Sequence, residues 1–91
     1  MGLRFSRSAA RHGISEDRAR YVIENCPTPL YAERTLVAED RVMFLWADAH
    51  GVPLEVGAIE LDGGELLVIH AMKLRKVHEA DYARLLEWQK S

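Results

Sequence analysis

The sequence of 91 residues predicts one α+β domain. Its expected order is two N-terminal helices, a three- to four-stranded antiparallel meander and a C-terminal helix. Three observations predict this order. Apolar residues recur at helical spacing behind a capping serine near the start. Three apolar runs, separated by turn chemistry, follow in the middle. A second helical stripe closes the chain.

Ser6 to His12 reads as a short helix ended by Gly13. Ser15 is a good N-cap, with Glu16 and Asp17 in the first turn, where the helix dipole favours carboxylates. Ala19, Val22, Ile23 and Cys26 then form one apolar stripe, and Pro27 and Pro29 stop the helix. Pro29 to Thr35 has the character of a short edge strand, while Leu36 to Asp40 is ambiguous. Arg41 to Ala49 reads as a strand centred on Val42-Met43-Phe44-Leu45-Trp46, and His50-Gly51 as a turn. Val52 to Leu61 is the next strand. Its apolar alternation slips at Gly57-Ala58, which predicts a bulge. Asp62-Gly63-Gly64 is a hairpin turn, and Glu65 to Met72 a central strand, apolar on both faces. His78 to Lys90 reads as a helix with Tyr82, Leu85 and Leu86 as its stripe.

Charge is polarised along the chain. Residues 1–26 carry five arginines against three carboxylates, 27–65 two arginines against eight carboxylates, and 66–91 five cations against three carboxylates. Two basic ends around an acidic middle favour an anionic ligand at a surface built from the ends. An overall pI near 6.1 argues against indiscriminate nucleic-acid binding. A single Cys26 forbids an intramolecular disulfide and suits a cytoplasmic protein. No apolar run is long enough for a membrane span. The carboxylates Glu33, Glu39 and Asp40 read as a solubilising cluster. The sequence has no P-loop, no dinucleotide glycine pattern and no zinc-type Cys/His spacing, so no cofactor and no metal is expected.

The chemistry-bearing segment is Ile69-His70-Ala71-Met72-Lys73-Leu74-Arg75-Lys76-Val77-His78, a basic exit from the most apolar strand. Arg11-His12-Gly13 echoes it near the start. Metal-independent RNA cleavage needs a base for the 2′-hydroxyl, a cation for the phosphorane and an acid for the leaving oxygen. Imidazole suits the first and last roles, and guanidinium the middle one. His70, His12 and Arg75 can supply this set, with Lys73, Lys76 and Arg11 on flanking phosphates. Each residue also has a structural reading. Regular alternation puts His70 on the face of Val68 and Met72, where a covering helix would make it a hydrogen-bonded core residue. His12 can complete a helix end, and the lysines can be solvated. His78 reads as structural, His50 as exposed, and Trp46 and Trp88 as packing residues.

Arg11-His12-Gly13-Ile14-Ser15 before an amphipathic helix, followed by a meander ending in Ile69-His70-Ala71-Met72-Lys73, resembles the BrnT-like toxins of bacterial toxin–antitoxin pairs. The resemblance implies a RelE-like fold, ribonuclease activity and a cognate antitoxin partner. That family's last strand usually shows Ser-Ala-Arg-Lys, where this chain reads His70-Ala71-Met72-Lys73; the arginine is missing at that place, and whether Arg75 replaces it is open. The expected function is therefore a toxin-type endoribonuclease whose partners are RNA and an antitoxin, with a homodimer open and no membrane. A non-catalytic protein-binding module on the same fold is the alternative, and a nucleic-acid-binding regulator the second.

Overall fold

A computed structural model describes residues 2–31 and 41–90. The expected end of the first edge strand at Thr35, the stretch 36–40 and the carboxylates Glu33, Glu39 and Asp40 lie outside the described residues. Five strands form one mixed sheet: β1 (Leu3–Phe5), β2 (Leu30–Tyr31), β3 (Arg41–Ala47), β4 (Pro53–Glu60) and β5 (Leu66–Lys73), in the order β1-β5-β4-β3-β2. Among the described residues two α-helices accompany it, α1 (Glu16–Asn25) and α2 (Glu79–Lys90).

This overturns the expectation of two N-terminal helices and an all-antiparallel meander. The chain enters as a strand, and β1 pairs with β5 in parallel, Leu3 beside Leu66 and Phe5 beside Val68. Three residues carry too little periodicity to announce a strand. Their pairing partner, which makes them one, lies at the other end of the chain. Arg7–Ala10 forms a 3-10 turn in place of the expected first helix. That segment buries only Ala9, and so short an apolar contact does not offset helix nucleation.

Helix α1 matches its sequence signature. Ser15 Oγ accepts from the Arg18 backbone N–H at 3.3 Å, and Ala19, Val22 and Ile23 are buried. They pack on one face of the sheet against Val42, Phe44, Leu54, Val56, Ala58 and Val68. Each buried valine, leucine, isoleucine or phenylalanine among them contributes about 1.5–3 kcal/mol. The β3–β4 turn is fixed by Asp48, which the sequence reading did not single out. Its Oδ1 accepts from the backbone N–H groups of His50 and Val52, both at 2.9 Å, and Oδ2 accepts from Arg18 Nε at 2.8 Å. The hydrogen bond from Val52 above all holds the buried Asp48 carboxyl below the usual range, helped by Arg18 and His50 against the opposing effect of burial.

Helix α2 follows a 3-10 turn at Lys76–His78 and packs against β3. Tyr82 meets Trp46 edge to face, with ring centroids 6.3 Å apart. Leu85 is buried, but Leu86, expected on the same stripe, is exposed.

The expected register shift does fall between Gly57 and Ala58, but the extra residue is on the neighbouring strand. Gly57 pairs with His70 and Ala58 with Val68, so Ile69 is the unpaired residue of a β5 bulge. Val68 and Ala71 therefore both face the α1 core, and His70 turns to the opposite face. Regular alternation would have placed His70 with Val68. The bulge is held by the segment after β1: the Ser6 N–H donates to the Val68 carbonyl at 2.9 Å, and Ser8 Oγ donates to the Ile69 carbonyl at 2.8 Å.

Candidate functional site

The site is built on a carboxylate in the middle of the sheet. Glu55 lies on β4 between Leu54 and Val56, and strand alternation turns it away from α1. Its side chain is fully buried. A lone carboxylate there would be prohibitively costly, so its partners define the site.

Arg75 is the main partner. After β5 the Leu74 N–H donates to the Pro53 carbonyl at 3.1 Å, which carries the chain back alongside β4. The Arg75 backbone N–H then donates to Glu55 Oε1 at 2.8 Å. Its guanidinium reaches both carboxylate oxygens, Nε to each at 3.1 Å and Nη2 to Oε2 at 2.8 Å. Burial pushes the Glu55 carboxyl up, but the hydrogen bonds from Arg75 and His70 outweigh it and hold the group at about 2. Glu55 in turn raises the Arg75 pKa.

His70 sits across from Gly57 and is one-quarter exposed. Its Nε2 lies 3.0 Å from Glu55 Oε2. An ionised carboxylate only accepts, so Nε2 carries the proton, and the lone pair of a neutral ring is on Nδ1. His78 Nε2 approaches the same oxygen at 3.6 Å. Glu55 and Arg75 form a charge-balanced pair at the centre of this cluster.

His12 joins from the N-terminal side. Its ring stands edge to face with His70, with centroids 5.8 Å apart. A hollow of about 410 Å³ opens beside them, lined by Arg41, Met43, Gly57, Ile69, His70 and Arg75, together with Val42 and Ala58. Ligand pockets commonly begin at about 300 Å³.

The sequence-selected residues are thus distributed unevenly. His70 and Arg75 line one hollow, and His12 abuts His70. Lys73 pairs with the core residue Leu54, which puts it on the face opposite His70. Arg11 and Lys76 are exposed on separate turns outside the lining of the hollow. Glu55 and Arg41 were not read from the sequence as site residues, Gly57 was read only as a bulge position, and His78 was read as structural only. The available signal was Glu55 itself, a carboxylate between two fully buried apolar neighbours. Such a group demands cationic partners from an adjacent strand.

Among the described residues no three His, Cys, Asp or Glu side chains are grouped to hold a metal ion. No helix among them is long and apolar enough to cross a membrane. Comparison with family models, curated proteins and solved structures gives no match for this chain.

Proposed function

We propose that the protein is a metal-independent endoribonuclease that acts in the cytoplasm and is held in check by a cognate antitoxin protein. The observation that carries this reading is that His70 and Arg75 line one hollow while His12, from the other end of the chain, stands edge to face against His70. His70 Nδ1 takes the proton of a 2′-hydroxyl, while Glu55 holds the ring and stabilises the imidazolium that forms. The 2′-oxygen bonds to phosphorus as the bond to the 5′-oxygen breaks. Protonated His12 gives its proton to that leaving oxygen, and the products are a 2′,3′-cyclic phosphate and a 5′-hydroxyl. Arg75 uses Nη1, which makes no hydrogen bond among the described residues, on a non-bridging oxygen. The basic echo of a BrnT-like toxin in the two motifs supports the same assignment.

Product analysis tests the reading. Single-stranded RNA incubated with the full chain in excess chelator should yield 2′,3′-cyclic phosphate ends. Intact RNA, or ends of another kind, would overturn it. One observation favours a second reading, a non-catalytic protein-binding module. Arg75 commits its backbone N–H, Nε and Nη2 to Glu55, the arrangement expected of a purely structural clamp.

A further inference from the structure

We propose that the exposed side of α2 is a two-fold interface through which the protein pairs with a second copy of itself. The inference is independent of the hollow and of the chemistry assigned to it. The turn Lys76–His78 runs directly into α2. Val77, Asp81, Arg84 and Trp88 therefore recur at i, i+4, i+7 and i+11, in one stripe along the helix. On the neighbouring side Tyr82 meets Trp46 of β3 and Leu85 is buried, which turns the stripe to solvent. Val77 is 74% exposed, and Trp88, which has a contact of its own within the chain, is still 59% exposed. The side chains of Asp81 and Arg84 are 42% and 82% exposed and stand 3.8 Å apart, a long ion pair.

The order of the stripe selects the occupant. It runs apolar, acidic, basic, apolar, and the spacing is the same read from either end. Two copies laid antiparallel, with the two-fold axis level with Tyr82 and Ala83, bring Val77 beside Trp88 of the second copy and Asp81 beside Arg84 of the second copy. The symmetry makes each contact twice. The four charges then alternate in sign around the axis, with an apolar contact at each end. A parallel arrangement would oppose Asp81 to Asp81 and Arg84 to Arg84. Within one chain the Asp81–Arg84 pair is exposed and contributes little. Across the axis the same charges fix register and direction.

The patch is smaller than a standard interface, so sedimentation equilibrium of the full chain from about 5 to 500 µM brackets the association it supports. The mass should rise from 10.3 kDa towards twice that value. Asp81→Arg and Arg84→Asp each place like charges across the axis and should weaken association about tenfold or more. Both positions face water, so the variants should fold, as circular dichroism can check. The double variant restores opposite signs and should recover the dimer. An equimolar mixture of the two single variants should also dimerise, because one then presents two cations and the other two anions. A natural chain that stays monomeric over the whole range would overturn the proposal. So would a dimer indifferent to both single reversals, or a mixture of the two that associates no better than either alone.

Discussion

Glu55 and Arg75 are locked to one another at both ends of the carboxylate: Oε1 accepts from the Arg75 backbone N–H and Oε2 from its Nη2, each at 2.8 Å. The backbone bond fixes where the chain leaves β5. The guanidinium bond fixes where the cation stands over the hollow. One buried anion thereby sets both the path of the chain and the electrostatics of the site.

Acid unfolding should expose this anion. The Glu55 pKa is lowered from 4.5 to about 2, so its contribution is complete above 4.5 and is lost as pH falls through about 2. That loss amounts to about 3 kcal/mol of stability. Urea unfolding between pH 5 and pH 2 should show it in the natural chain. Glu55→Gln should be less stable at pH 5 and should lack this part of the acid dependence.

Arg75→Ala should destabilise the protein by roughly 2–3 kcal/mol, because a buried carboxylate loses its charged partner but keeps a backbone N–H and His70. Arg75→Lys should recover only part of this, since an ammonium cannot span both oxygens. Chemical denaturation at pH 7 measures both. Equal stability of all three proteins would show that the clamp does not contribute.

The bulge makes a smaller prediction. Ser8→Ala removes the hydrogen bond to the Ile69 carbonyl and should cost about 0.5–1.5 kcal/mol. Amide exchange at Ile69 and His70 should quicken more than exchange in β3. A uniform change across the sheet would contradict the assignment of Ser8 to the bulge.

Asp48→Ala should lower the melting temperature more than Arg18→Ala does. The aspartate satisfies two backbone N–H groups of the β3–β4 turn as well as Arg18, whereas among the described residues the arginine side chain bonds Asp48 alone. Parallel thermal melts at pH 7 decide the order.

How much of this was legible in the sequence depends on the range of each interaction. Helix α1 was readable because its cap, stripe and proline stop are all local. The strands β3, β4 and β5 were readable because their apolar runs end in turn residues. β1 was not, because a three-residue edge strand is made by a distant partner. The register shift was correctly placed at Gly57-Ala58, although β4 itself alternates regularly there. Single-sequence alternation could not show that the extra residue is Ile69, because a bulge is a property of two strands. The face of His70 was misjudged for that reason. His12, His70 and Arg75 were selected by residue chemistry, and the carboxylate that organises two of them was overlooked because it carries no motif. Lys73 stands on the face opposite His70, because three positions along the regular end of β5 are an odd spacing.

The most direct test of the central claim is the rate of single-stranded RNA cleavage by the natural chain, His70→Ala and His12→Ala at pH 7 in excess chelator. The account predicts cleavage by the natural chain and a loss of about 10²-fold or more in each variant, with folding intact by circular dichroism. Undiminished cleavage in both folded variants, or none by the natural chain, would contradict it.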